Sequence, residues 1–203
     1  MAMSAPSDLL QRWAPAASIP QALVLGAGDG GEAAWLAGEG FQVAAIEKDP
    51  ERSAALAEAT AGLAVTVRRA DVQAMEVRPD TYGLIVALAV LHFVTPQVLP
   101  RVAGQLTGGL APGGLLLVQV LSDQDPSAQI RRSQGEPEIL PNTFPLEDGE
   151  GVVHYFARGE LAAVFSRLHH LESERYRFAA PDRPEGFGAG EILVAQRPAQ
   201  GEA

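Results

Sequence analysis

Cysteine is absent from the 203-residue chain. Its absence excludes disulfides, thiolate nucleophiles and cysteine-ligated zinc, and fits a reducing compartment. Basic residues are scarce, 15 Lys and Arg against 25 Asp and Glu, which gives a formal net charge of -10 at pH 7. A field of that sign repels phosphates and anionic lipid, so neither nucleic acid nor a membrane is an expected partner. Long hydrophobic runs are missing too: none approaches the roughly 18 apolar residues of a membrane span. Met1 to Pro20 also lacks the basic and apolar regions of a secretory signal. The expectation is a soluble, cytoplasmic protein with one domain over residues 1–203 and no internal repeat.

What is present is an alternation of short apolar runs with helical segments. Residues 7–13 read as a lead-in helix within residues 1–20. Ala22 to Leu25, Phe41 to Ile46, Leu63 to Val67, Leu84 to Leu88 and Leu115 to Leu121 read as strands, the first buried on both faces. Glu32 to Glu39, Pro50 to Thr60 and Pro96 to Leu106 read as the helices between them, Pro50 being suited to a first helical turn. This spacing indicates right-handed crossovers and a largely parallel sheet. The rhythm breaks at Ser122 to Gly151, a stretch rich in Asp, Glu, Gln, Pro and Gly that is expected to be a loop, either disordered or a lid. A helix over Arg158 to Leu168 follows, then strands at Leu171 to Phe178 and Glu191 to Gln196 as an antiparallel pair. Residues 198–203 form a tail. The fold class is therefore α/β: a Rossmann-like, doubly wound, seven-stranded sheet, mostly parallel, with a C-terminal antiparallel hairpin.

The segment Gly26-Ala27-Gly28-Asp29-Gly30-Gly31 lies between the first strand and the first helix of the alternation. Glycines there allow a tight turn and close approach of a ligand, and the helix start offers free N–H groups. Glu47, followed by Lys48, ends the second strand about 20 residues on, where nucleotide folds place a ribose-binding acid. Gly26, Gly28 and Gly31 also satisfy the dinucleotide spacing, so a nicotinamide-dependent oxidoreductase stays open at this point. Arg69-Ala70-Asp71-Val72 follows the third strand and offers a carboxylate to an adenine amino group. Tyr82 to Phe93 is a strand that runs into an apolar turn.

Leu23 to Pro50, Arg69 to Val72, Tyr82 to Val94 and Leu110 to Val120 together resemble the ordered motifs of the class I S-adenosylmethionine-dependent methyltransferases. Tyr155-Phe156-Ala157-Arg158-Gly159-Glu160-Leu161, with Phe165, is similar to the tellurite-resistance (TehB-like) subgroup. The resemblance implies S-adenosylmethionine as cofactor. It implies that Gly26, Ala27, Gly28, Asp29 and Gly30 surround the methionine moiety, that Glu47 and Lys48 flank the ribose, and that Asp71 and Val72 hold the adenine. Leu88 and its neighbours would close the pocket beneath the sulfonium. The chain departs from the pattern at Val24, where an acid usually contacts the cofactor's ammonium, with Asp29 or Glu32 as substitutes. It departs again at Gly83, which replaces the acid that usually opens the fourth strand.

Methyl transfer is an in-line displacement whose reactivity the cofactor carries, so no catalytic dyad is required and none is obvious. His154 and Arg158 are the candidate catalytic residues, as contacts to a small-molecule acceptor. An oxyanion such as tellurite would draw on Arg158 or on Arg131-Arg132. His92 reads as filling a polar corner, and His169-His170 as pointing to opposite faces of a strand, so no metal site is expected. A non-catalytic binding or regulatory module of the same fold is the alternative that Val24 motivates.

Overall fold

The computed structural model describes residues 3–5, 7–146, 149, 151–181 and 184–199. In chain order the regular elements are α1 (Asp8–Trp13), β1 (Gln21–Leu25), α2 (Gly31–Gly38), β2 (Gln42–Glu47), α3 (Pro50–Ala59), β3 (Val65–Arg69), β4 (Tyr82–Leu88), α4 (Leu99–Gly109) and β5 (Leu110–Leu121). They continue with α5 (Pro126–Ser133), β6 (Thr143–Pro145), β7 (Val152–His154), α6 (Glu160–Val164), β8 (His169–Ala179) and β9 (Phe187–Gln196). A 3₁₀ turn at Leu91–Phe93 follows β4.

The seven-stranded sheet has the order β3-β2-β1-β4-β5-β9-β8. Its first five strands are parallel, and β9 and β8 add as an antiparallel pair. The order reverses between β1 and β4, so a crevice opens at their carboxyl ends, as α/β sheets require. Alternation along each strand assigns the two faces. Leu23, Leu25, Ile85, Leu116 and Val118 pack beneath α4 and α6. Ala22, Val24, Leu84, Val86 and Leu117 pack beneath α1, α2 and α3. Leu84, Ile85 and Leu116 are wholly buried, each contributing roughly 1.5–3 kcal/mol of transfer free energy.

Local chemistry sets the element starts. Asp49 caps α3 by accepting the Arg52 N–H at 2.8 Å, with Pro50 in the first turn. Asp125 does the same for α5 at Ser127 N, 3.0 Å, with Pro126 in the first turn. At Gly83 a β-carbon would lie 2.1 Å from the Ile19 carbonyl oxygen, because the chain entering β1 crosses the start of β4. Glycine in place of the usual acid therefore has a steric reason.

Several boundaries differ from the sequence reading. The stretch 122–151 carries α5 and β6, and β6 pairs with β7 just beyond it; Ala128 and Phe144 join Val153 and Tyr155 in a small core of their own. The helix expected over 158–168 is limited to Glu160–Val164. β3 begins two residues late, and β9 starts at Phe187, four residues before the expected Glu191. The expected tail is described only as far as residue 199. No helix among the described residues is long and apolar enough to cross a membrane.

Candidate cofactor site

A cavity of about 420 Å³ opens at the carboxyl ends of β1 to β4, within the size range of small-molecule sites. Each strand end supplies one part of it. Gly26 follows β1, Ile46 and Glu47 end β2, Ala70, Asp71, Val72 and Gln73 follow β3, and Ala89, Val90 and Phe93 follow β4. Lys48 and Arg52 come from the β2–α3 connection, and Leu146 reaches in from the β6–β7 hairpin.

Gly26 has a φ of +61°, and a β-carbon there would stand 2.9 Å from Val90 Cγ2. A side chain would thus be strained and would collide with the turn after β4. Ala89, at the cavity, is one of three non-glycine residues among those described with positive φ (+56°), a conformation that costs about 1–3 kcal/mol and collects at functional sites. Its N–H is held by the Gln119 carbonyl at 2.9 Å.

Glu47 is only 6% exposed, and both carboxylate oxygens are engaged. Oε2 accepts the Gly28 N–H at 3.1 Å, and Oε1 accepts the Asp49 N–H at 3.0 Å. The acid therefore ties the glycine loop to the start of α3 and holds a fixed orientation. A carboxylate has about four lone-pair sites, so acceptor capacity remains for a ligand's hydroxyls. Asp71 is fixed in the same way, accepting the Gln73 N–H at 2.8 Å in a tight turn.

The remaining loop residues lie around the cavity rather than in it. Ala27 is buried in the core beneath the helices, its N–H bonded to the Ile46 carbonyl at 3.0 Å. Gly28 and Asp29 line an adjoining cleft with Arg52, Leu56 and Glu58. Gly30 takes a φ of +88° at the start of α2. The N-terminal segment crosses this loop: Ser4 donates from N and Oγ to the Asp29 carboxylate at 2.8 and 3.0 Å. Burial pushes the Asp29 carboxyl up, but the bonds from Gly31 and Ser4 outweigh it and hold the group below its ordinary value. Burial, with Asp29 adding repulsion, raises Glu32. Val24 is buried between Ala45 and Val86 in the sheet, where an acid would have no water. Leu88 packs on the helix side of β4 and does not line the cavity.

Neither His154 nor Arg158 lines the cavity. His154 is buried on β7, Nδ1 facing the Thr143 hydroxyl and Nε2 facing the Glu160 carboxylate, each at 2.8 Å. Burial raises Glu160, but the bonds from His154 and the Ala157 N–H hold it below the usual range. Arg158 is exposed beside a groove with Ser173, Glu174 and Arg175. Arg131 and Arg132 are paired with Glu136 and Glu138 at 2.5 and 2.7 Å, and both lie over the Phe144 ring. His92 sits in the turn after β4, 4% exposed; burial drives its pKa down to about 4, so the ring is neutral near pH 7. Ala89, Val90 and Phe93 lie within the motif Tyr82 to Val94, although the sequence singled out Leu88 there; Arg52 and Gln73 lie just beyond motifs that were read, whereas Leu146 arrives by tertiary folding and leaves no local signal.

The architecture is that of the class I S-adenosylmethionine-dependent methyltransferases. The model of a family described as a methyltransferase domain matches residues 22–114, the stretch from β1 into β5. A Methanosarcina mazei S-adenosylmethionine-dependent methyltransferase superposes with a TM-score of 0.77 at 16% identity, over 97% of this chain and 100% of that one. TehB from Haemophilus influenzae gives 0.72 at 19% identity, over 94% of this chain and 61% of that one. A Mesorhizobium loti S-adenosylmethionine-dependent methyltransferase gives 0.70 at 18% identity, over 93% of this chain and 95% of that one. No curated protein matches the sequence.

Proposed function

We propose that the chain binds S-adenosylmethionine and transfers its methyl group to a small-molecule acceptor. One observation carries this reading: Gly26, Glu47 and Asp71, which the resemblance assigns to methionine, ribose and adenine, come from the ends of three adjacent strands and line a single cavity. In it the Glu47 carboxylate takes the ribose hydroxyls, and Asp71 with Val72 takes the adenine. Val90 lies against Gly26, and with Ala89 it borders the sulfonium. Asp29 stands in for the missing acid at Val24 and meets the ammonium from the adjoining cleft. The bound cofactor supplies an activated methyl; the protein's residues orient it and exclude water, an arrangement worth roughly 7–11 kcal/mol.

The paired state of Arg131 and Arg132 weighs against an oxyanion such as tellurite as acceptor, since their charge is already met by Glu136 and Glu138. Val24 favours a second reading, a binding module without turnover. Calorimetric titration with S-adenosylmethionine, its demethylated product and NAD tests the cofactor. Saturable binding of the first two and none of NAD is expected, and preference for NAD refutes the assignment. Cofactor binding with no methyl transfer across an acceptor screen would favour the module.

A further inference from the structure

The cavity is chemically two-sided, and the sides follow the sheet order. Its acids and bases, Glu47, Lys48, Arg52 and Asp71, belong to the ends of β2 and β3 and to the start of α3. The part of its lining that follows β4 is apolar, Ala89, Val90 and Phe93, and Leu146 adds an apolar side chain from beside β6. With adenine at β3, ribose at β2 and methionine at β1, the sulfonium falls on the β1–β4 side. An acceptor must therefore approach across this apolar lining.

Phe93 is the feature that needs an explanation. It is 41% exposed, the one large aromatic side chain so exposed among the described residues, and it stands at the cavity's edge. Its turn is held in place. The Phe93 N–H bonds the Val90 carbonyl at 3.0 Å, and β7 packs over the same turn. The ring is thus presented by a fixed backbone, whereas an aromatic ring normally gains 1 kcal/mol or more, by order of magnitude, from burial. Leu146 faces the same cavity from the hairpin, anchored by its N–H on the Gly151 carbonyl at 3.1 Å. Arg131 and Arg132, on the element behind the hairpin, are turned to Glu136 and Glu138.

Resting on the methyl-transfer reading above, we infer that the acceptor is an aromatic molecule that carries no charged group besides its nucleophilic atom and docks on Phe93, Val90 and Leu146. Its nucleophilic atom displaces along the methyl–sulfonium axis. The new bond forms to the methyl carbon, the methyl–sulfur bond breaks with its electron pair going to sulfur, and the cofactor leaves as a neutral thioether. For a thiol acceptor the proton is lost to water beforehand, so the thiolate attacks, its charge cancels that of the sulfonium, and the methylated product is a neutral thioether.

Thiophenol is a suitable probe, with 3-mercaptopropionate as a charged aliphatic control and tellurite as the oxyanion. Wild-type protein and Phe93→Ala are first titrated with S-adenosylhomocysteine, then, once loaded, with each probe; S-adenosylmethionine turnover is measured in parallel. Thiophenol should bind the loaded wild type saturably and the control and tellurite should not. Phe93→Ala should weaken thiophenol binding and raise its KM roughly tenfold or more, the loss of one aromatic contact, while leaving S-adenosylhomocysteine affinity unchanged. Phe93→Leu should recover part of the loss. Binding of tellurite or the charged thiol in preference to thiophenol overturns the inference, as does no thiophenol binding. Weaker S-adenosylhomocysteine binding in Phe93→Ala also overturns it, by moving the ring to the adenine wall. Failure of the wild type to bind either cofactor form is a different result, and refutes the methyl-transfer reading itself.

Discussion

Replacing Glu47 by alanine tests the site at its most constrained residue. Two losses are expected, and they are separable. The first is structural: the Gly28 and Asp49 N–H groups, now bonded at 3.1 and 3.0 Å, lose a nearly buried partner. Orphaned backbone donors of this kind cost about 1–3 kcal/mol, so the unfolding midpoint in urea should fall. The second is the loss of ribose hydroxyl bonds to a charged acceptor, about 1.5–3 kcal/mol, or roughly a 10- to 100-fold weaker Kd for S-adenosylmethionine. Calorimetry reads the second, and denaturant unfolding reads the first. Glu47→Gln separates them further, since its amide oxygen can still take one backbone N–H while the charge is gone. An S-adenosylmethionine analogue lacking both ribose hydroxyls should bind wild type and Glu47→Ala with similar affinity, because the interaction under test is then missing from both. Lower stability with unchanged Kd for the full cofactor would reduce Glu47 to a clamp between two loops and refute its role at the ribose.

Other outcomes follow from single residues. Gly83→Asp, which restores the acid usual at that position, should destabilise the fold by about 3 kcal/mol or more, since its β-carbon meets backbone at Ile19; an unchanged melting temperature would contradict that crossing. His92 has a folded pKa lowered to about 4, so the unfolded chain binds the extra proton between about pH 6.5 and 4 and stability drops as pH falls through that window. At pH 5 the loss relative to pH 7.5 is about 2 kcal/mol, and urea unfolding of His92→Phe should lack that part of the acid sensitivity. Asp125 is fully buried and accepts the N–H groups of Ser127 and Ala189 at 3.0 and 2.8 Å. Asp125→Ala should therefore cost about 3 kcal/mol and loosen α5, detectable as faster amide exchange over residues 126–133; equal exchange would count against its anchoring role.

The strands at the centre of the sheet were legible because they are buried on both faces and therefore continuously apolar. The glycine loop after β1 was legible because glycines at positive φ have few substitutes. Misread boundaries share a physical cause, namely that tertiary contacts replaced local pattern. β3 is an edge strand whose Arg68 and Arg69 face solvent, so apolar periodicity undercounts it. α5 has few apolar residues, yet Pro126 repeats the signal that Pro50 gave for α3, and the Asp125 cap before it matches Asp49, which was the available clue. In β9, Gly188 and Gly190 looked like a loop, but the rings of Phe178 and Tyr176 on β8 lie where their β-carbons would be. Side chains across the ladder supply the packing that the glycines lack. Glu47 and Asp71 were reachable from spacing and resemblance alone, whereas Phe93 and Leu146 acquire meaning only beside the cavity. His154 and Arg158 drew notice as polar residues before a helix; the fold turns the first inward to Thr143 and Glu160 and leaves the second outside.

The sheet order has a consequence for how the molecule is assembled. β9 follows β8 in sequence, yet it lies between β5 and β8. Until β9 emerges from the ribosome, β8 has no partner in the sheet and β5 shows an open edge, the kind of surface that recruits other chains. The sheet therefore closes by an insertion rather than an addition. A frameshift or a proteolytic cut just before Phe187 would leave the glycine loop and the cavity at the ends of β1 to β4 already encoded, on a sheet that cannot close. Such fragments should aggregate rather than persist as smaller working versions of the protein.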